Sequence, residues 1–178
     1  MGGPKALLPR PDGRAAVAEA ISRVREAGCD PVAVVVGAAA DEVTRAVGEA
    51  AFVVSSPDWE TGMGASFRAG LRWATTLSTS VNAVLVTLVD LPDVGADVYA
   101  RLRAAAVGPE TLARATYDGT PGHPVVLGRE HWAAATRGAM GDRGARAYLD
   151  IAPVTLIECA DLATGRDTDR PSDLTFPA

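Results

Sequence analysis

Asp90 stands directly after Ala83-Val-Leu-Val-Thr-Leu-Val89, the strongest buried-strand signal in the chain, and is followed by Leu91, Pro92 and Asp93. A carboxylate at the end of such a strand projects beyond the carboxyl edge of a parallel sheet, where ligands of open α/β sheets bind. It suits a hard dication such as Mg2+, which takes oxygen ligands, keeps waters and bridges one or two carboxylates to substrate phosphates. The other reading is that Asp90 or Asp93 caps the helix that follows, and Asp93 is the better placed for that role. A second carboxylate is needed for the dication. Asp167, Asp169 and Asp173 offer one, although each equally suits a turn or a cap.

Further groups suit anions. Gly2, Gly3 and Lys5 put a cation just after residues whose backbone can approach a phosphate closely; the alternative for Lys5 is a solvated lysine near the chain start. Thr61-Gly-Met-Gly-Ala-Ser66 opens a helix, where free amides of Gly62 and Gly64 and the Ser66 hydroxyl suit a phosphate or sugar. An ordinary helix-start turn has the same composition. Gly141-Asp142-Arg143-Gly144 with Arg146 is a similar turn whose guanidinium groups can fork onto phosphate oxygens, or simply face water. His123 lies between Gly122 and Pro124 in a turn, His131 lies beside Glu130, and no serine or cysteine nucleophile motif accompanies either, which argues against a hydrolase triad.

The elements that must position these residues follow from periodicity. Helical spacing of Val17, Ala20, Ile21 and Val24 predicts a helix over Ala15 to Ala27, stopped by Gly28. Further helices are expected over Asp41 to Val47, Met63 to Thr76, Ala96 to Ala106, about Glu130 to Thr136, and Ala145 to Leu149. Short β-branched runs predict strands at Pro31 to Gly37, Ala51 to Val54, Ala83 to Val89, Leu112 to Tyr117, Val125 to Leu127 and Val154 to Glu158, with Asp118 to Pro124 as a turn-rich stretch. The tail from Asp161 reads as irregular. Strands alternating with helices predict a single α/β domain, a three-layer α/β/α sandwich with a mostly parallel sheet.

Composition narrows the functions. At 178 residues the chain fits one domain, and 48% hydrophobic with 22% charged residues is ordinary for a folded globular protein. Aromatics are only 5%, so the core is expected to be small aliphatics. A net charge of -5 argues against a nucleic-acid-binding surface. No apolar run approaches the ~20 residues that cross a bilayer, and no secretory signal opens the chain, so a cytoplasmic location and small-molecule partners are expected. Cys29 and Cys159 lack ligand-spaced partners and are expected as two buried thiols.

Taken together, Met1-Gly-Gly-Pro-Lys-Ala-Leu-Leu8, Ser56-Pro-Asp-Trp-Glu-Thr-Gly-Met-Gly-Ala-Ser66, Val89-Asp-Leu-Pro92, Pro121-Gly-His-Pro-Val125, Gly141-Asp-Arg-Gly-Ala-Arg146 and Asp167-Thr-Asp-Arg-Pro-Ser-Asp-Leu174 resemble the nucleotidyltransferase family of molybdenum cofactor cytidylyltransferase and the molybdopterin guanylyltransferases, the cytidylyl branch more closely. The resemblance covers nearly the whole chain. It implies a nucleotide-diphospho-sugar-transferase-like, Rossmann-like fold and transfer of CMP from CTP to a molybdopterin-type cofactor, with release of pyrophosphate. Lys5 would touch the nucleotide phosphates, Asp90 and Asp169 would hold Mg2+, and Gly62 to Ser66 would help bind the nucleotide. His123, Asp142, Arg143 and Arg146 would border the pterin-side pocket, and a molybdoenzyme or its chaperone would be a partner.

In that family a buried strand and a loop reading Leu-Ala-Ala-Gly-x-Gly-x-Arg precede the residues matching Met1 to Lys5, and this sequence has neither. The expectation is a start assigned at an internal Met or a shortened chain, with open apolar sheet edges and weak nucleotide binding. Ser56 stands where relatives often carry Asn. The rival readings are a non-catalytic cofactor-binding or delivery protein, which the absent loop favours, and an NAD(P)-dependent oxidoreductase on a related sheet, which lacks a Gly-x-Gly-x-x-Gly unit in its support.

Overall fold

The computed structural model describes residues 4–167. The expectations for Gly2, Gly3 and Asp169 therefore lie outside the described residues. Elements alternate as helix α1 (Ala16–Glu26), strand β1 (Ala33–Val36), α2 (Ala40–Val47), β2 (Phe52–Ser55), α3 (Met63–Thr75), β3 (Ala83–Val86), α4 (Ala96–Ala104), β4 (Leu112–Tyr117), β5 (Thr120–Gly128), α5 (Arg129–Gly138), α6 (Arg146–Leu149) and β6 (Thr155–Glu158). Short 3-10 turns at Lys5–Leu7, Trp59–Thr61 and Gly141–Arg143 carry or flank the candidate site residues.

Helices cover both faces of the strands, which gives the three layers expected. On one side α1 and α4 place Val24, Val98, Tyr99 and Leu102 against Ala113, Ala115 and Val126. On the other, Leu71 and Ala74 of α3 and Trp132 and Ala135 of α5 cover Leu112, Val125 and Leu127. A third cluster joins Val17 and Ile21 of α1 to Val36 of β1 and Val43 and Val47 of α2. The core is mostly small and aliphatic, as the composition suggested, with Tyr99, Tyr117 and Trp132 as aromatic members. Of the two thiols, Cys159 is buried, but Cys29 is only partly so.

The sheet is mixed and interrupted. β1 and β2 pair in parallel as a two-stranded unit, while β3, β5, β4 and β6 form a four-stranded unit in that order. β4 and β6 are parallel; the β3–β5 and β5–β4 pairs are antiparallel, because β4 and β5 form a hairpin turning at Asp118 and Gly119. Among the described residues, β1 and β3 each have one edge without a strand partner, and all four residues of β3 are only partly buried. The two units are nevertheless packed into one body. α1 lies under both, with Val17 and Ile21 against Val36 and Val34 and with Val24 in the cluster that holds Leu85. α3 spans the other face, where Gly70 approaches Val35 while Leu71 and Ala74 pack with Val84 and Val86.

Two local expectations are corrected. Asp118 to Pro124 is not a turn: only Asp118 and Gly119 turn, and His123 lies in β5. Pro121 and Pro124 are tolerated because β3 pairs with Val125 to Gly128 alone, so no partner on that side asks for their missing amides. The β3 strand likewise stops at Val86, opposite Val125, since the next partner would be Pro124, which has no N–H to offer.

Candidate functional site

Beyond β3 the chain turns through Asp90 to Val94, and this turn is held from below. Arg23 of α1 donates through Nη1 to the carbonyls of Pro92 (2.8 Å) and Val94 (3.1 Å), while its Nη2 pairs with Glu19 Oε1 at 2.8 Å. Glu19 also pairs with buried Arg10 at 2.7 Å. The turn is thus fixed to the helix that follows the chain start. The same arrangement brings Lys5 to Asp90: Lys5 Nζ donates to Asp90 Oδ2 at 2.7 Å, with side chains 25% and 14% exposed. Asp90 Oδ1 is buried and has no hydrogen-bond partner among the described residues.

Asp93 is not a helix cap. Gly95 occupies the cap of α4, and Asp93 Oδ2 instead accepts from the amide and hydroxyl of Thr164, both at 2.6 Å. The segment after β6 thereby crosses the hairpin, over Tyr117, to the turn that carries Asp90. A Cβ at Gly165 would collide with the Tyr117 ring. Glu158, which ends β6, pins that crossing: its carboxylate accepts from Thr116 Oγ1 and from the amides of Asp118, Gly119 and Ala160. Those amides, Gly119 foremost, hold its pKa down to about 2.

The glycine-rich turn before α3 packs against the Gly141 turn. At Gly62, where φ is 111°, a Cβ would lie 2.6 Å from Gly141 O and 2.8 Å from Asp142 Oδ1; at Gly64 it would lie 2.9 Å from Ala139 O. Both glycines are therefore required by backbone approach between the two loops. Arg68 of α3 reinforces the junction by donating to the Ala139 carbonyl. Ser66 Oγ lies 3.4 Å from Oγ of buried Ser56, which sits just beyond β2. No hydrogen bond among the described residues joins this turn to Asp90.

His123 is half-buried, and burial, followed by the charge of Arg114, drops its pKa to about 4 against the opposing pull of Asp90. The imidazole is therefore uncharged at neutral pH. Arg114 of β4 is a residue sequence reasoning missed; the one signal was a lone arginine within Leu112-Ala-Arg-Ala-Thr-Tyr117. Its Nε donates to Gly122 O at 2.8 Å. Arg143 is turned to Asp150 at 3.2 Å on the exposed side of α6, and Arg146 and Asp142 are exposed.

The structure brings Lys5 and Asp90 into contact, sets His123 in electrostatic reach of Asp90, and joins the Gly62 and Asp142 turns. Asp90 offers a dication one free, buried oxygen, and hard cations bind such oxygens. No group of three or more His, Cys, Asp or Glu residues suited to a metal occurs among the described residues.

The chain is 37% identical over 177 residues to nicotine blue oxidoreductase of Paenarthrobacter nicotinovorans, covering 94% of this chain and 84% of that protein. The structure of the Mycobacterium tuberculosis Rv0371c homologue from Mycobacterium sp. strain JC1 superposes with a TM-score of 0.79 at 26% identity, over 97% of this chain and 85% of that one. Rv0371c of Mycobacterium tuberculosis H37Rv, in complex with manganese, gives 0.74 at 26% identity, over 89% and 83%. No helix among the described residues is long and apolar enough to cross a membrane. The model of the MobA-like NTP transferase domain matches residues 1–157, and the chain belongs to that nucleotidyltransferase family.

Proposed function

We propose that this chain transfers CMP from CTP to the terminal phosphate of a molybdopterin-type cofactor, releasing pyrophosphate in the cytoplasm. The observation that carries the reading is the Lys5–Asp90 pair beyond β3, with one carboxylate oxygen ion-paired and the other buried and open. Lys5 would bind and orient the polyphosphate, and the Gly62 to Ser66 turn would hold the nucleoside side. Asp90, with Asp169, would hold Mg2+, which neutralises charge on the polyphosphate. An oxygen of the acceptor phosphate attacks the α-phosphorus, forming one P–O bond as the bond to pyrophosphate breaks. A phosphate monoester is already anionic at neutral pH, so no strong general base is required. Uncharged His123 agrees with this: it can hydrogen-bond, but it brings no charge to the attacking oxygen. The chain then contributes positioning and fixed charge. The product would pass to a molybdoenzyme or its chaperone.

A second reading is reduction of an organic substrate by a nicotinamide cofactor, favoured by the relative at 37% identity whose name is nicotine blue oxidoreductase. Calorimetry with CTP, GTP and NADH, each with Mg2+, separates the two. The transferase reading requires CTP binding that Asp90→Asn weakens at least tenfold. NADH binding with no response to either triphosphate overturns it in favour of the reductase.

A further inference from the structure

One helix holds both members of the Lys5–Asp90 pair. At the start of α1 the Ala16 amide donates to Leu8 O at 2.9 Å, and Ala6 and Leu7 pack against the cluster of Val17 and Ile21, which anchors the 3-10 turn that carries Lys5. Two turns further along α1, Arg23 Nη1 donates to the carbonyls of Pro92 and Val94, two and four residues beyond Asp90. Lys5 and Asp90 stand 85 positions apart in sequence, yet the same helix carries the segments on which both sit.

Arg23 is itself aligned by a row of charges. Its Nη2 donates to Glu19 Oε1 at 2.8 Å, one helical turn back, and Glu19 Oε2 ion-pairs with Arg10 Nε at 2.7 Å. Arg10 is buried, and Glu19 and Arg23 are mostly so. Arg10 belongs to the loop between the Lys5 turn and α1, which is closed by its amide donating to Arg14 O at 2.8 Å. The row therefore runs from the loop after Lys5 to the turn that carries Asp90.

A sheltered row of this kind is a poor source of stability, because desolvation offsets much of the attraction. What it supplies is direction. A guanidinium presents its donors in a rigid plane and can hold two carbonyls and a carboxylate together, whereas an ammonium keeps the charge and loses the plane. Leu91 and Val94 also anchor the turn by burial, but apolar burial is non-directional. The fold provides an internal comparison at the other end of β3. There Arg129 of α5 donates to Val81 O at 2.8 Å and to Ser78 O at 2.9 Å, so each end of the strand is clamped by an arginine from a neighbouring helix. The Arg23 end is the one that carries Asp90.

We propose that Arg23, aligned by Glu19 and Arg10, is a positioning residue that sets the Asp90 carboxylate against Lys5 and against a dication. The dication half rests on the transferase reading; the setting of Asp90 against Lys5 does not.

The test compares the Lys5 ammonium nitrogen resonance of the metal-free full chain in Asp90→Asn, Arg23→Gln and Arg129→Gln. Arg23→Gln should move it toward its position in Asp90→Asn, and Arg129→Gln, which removes the clamp from the far end of β3, should leave it in place. Arg23→Lys should move it less, and is the variant to read should Arg23→Gln fold poorly. Titration of Mn2+ by water-proton relaxation then reads the metal side, in a Lys5→Ala background so that no ammonium competes for Asp90. There Arg23→Gln should weaken Mn2+ binding about tenfold, the lower end of the roughly 10–100-fold that partners behind metal ligands contribute. In the Lys5→Ala, Asp90→Asn background it should have no further effect, a dependence that a general loss of stability would not show. A Lys5 resonance unmoved by Arg23→Gln, or moved as far by Arg129→Gln, overturns the proposal. Mn2+ affinity that falls with Asp90→Asn but ignores Arg23→Gln overturns its dication half. A Lys5 resonance that follows Arg23→Gln, in a chain whose Mn2+ affinity ignores Asp90→Asn, supports the setting of the pair while the transferase reading of Asp90 fails.

Discussion

Replacing Lys5 by Ala should change metal and nucleotide affinity in opposite directions. Without nucleotide, the Lys5 ammonium occupies Asp90 Oδ2 at 2.7 Å, and a dication approaching that carboxylate must compete with it. A charge-assisted hydrogen bond contributes roughly 1.5–3 kcal/mol. Side chains 25% and 14% exposed are screened in part, which favours the lower end. About 1.5 kcal/mol corresponds to roughly tenfold in affinity, so Lys5→Ala should bind Mn2+, used as a paramagnetic probe, about tenfold more tightly than the parent chain. With CTP present the sign reverses: Lys5 has then moved its charge onto the phosphates, and the variant should bind CTP about tenfold more weakly. Water-proton relaxation titrations with and without CTP read both numbers. Thermal unfolding checks the fold, with a fall of about 2–6 °C expected for the lost ion pair in a chain of this size. Mn2+ affinity that is unchanged or weaker in the nucleotide-free variant would refute the competition, and with it the claim that Asp90 is the metal-binding carboxylate.

Gly62→Ala puts a Cβ 2.6 Å from Gly141 O at a φ of 111°, so strain and overlap should lower stability by about 2–4 kcal/mol in a denaturant titration. Gly48→Ala, also at positive φ but with nothing within 4 Å, is the control and should lose less than half as much. Asp93→Ala removes both acceptor contacts to Thr164 and should cost about 1–3 kcal/mol locally, seen as faster hydrogen exchange and proteolysis near residues 162–167 with a smaller effect on global unfolding. His123 has a folded pKa near 4, below its usual 6.5. The unfolded chain therefore binds the additional proton between those values, and stability should fall as pH drops from 6.5 through 4. His123→Asn should flatten that part of the pH profile, and an unchanged slope would place the imidazole in water. Glu158 acts in a separate window, its contribution present above about 4.5 and lost as pH falls through about 2.

Much of the fold was legible because the chain alternates buried β-branched runs with helical spacing, and each predicted helix and strand lies within a few residues of its place. What failed had identifiable causes. Pro121, Gly122 and Pro124 read as breakers because sequence cannot show that β3 leaves one side of β5 unpaired over those residues. Asp93 read as a cap because Thr164, its actual partner, lies 71 positions away. Arg114 escaped notice for a similar reason: the carbonyls that fix its guanidinium, those of Gly122 and Pro121, belong to the neighbouring strand, and no local spacing encodes that. Asp90 and Lys5 were legible as candidates, since a charge at the end of an apolar strand, and one beside glycines, stand out locally. Their direct contact, 85 positions apart, was not.

The interruption of the sheet and the candidate site are one problem. Asp90 closes the turn beyond β3, on one side of the interruption, while the Gly62 turn leads out of β2 and so belongs to the other unit. Gly37 at the end of β1 has Trp59 packed against it so closely that a Cβ there would lie 2.5 Å from the indole side chain, which ties the stretch leading into the Gly62 turn to β1. Side-chain packing by α1 and α3, with the Arg23 hydrogen bonds to the turn beyond β3, holds the two units in register, since no ladder bonds cross between them among the described residues. Packing without a directional hydrogen-bond ladder fixes separation better than it fixes sliding. A nucleotide gripping Lys5 and Asp90 at one end and the Gly62 to Ser66 turn at the other would bridge the two units. By linkage, ligand at a hundredfold excess over its Kd stabilises the bound form by about 2.7 kcal/mol. That stabilisation should show first as slowed exchange of the β1 and β3 amides, each strand having an open edge, and only later in the β4–β5 hairpin, where both strands are paired on two sides.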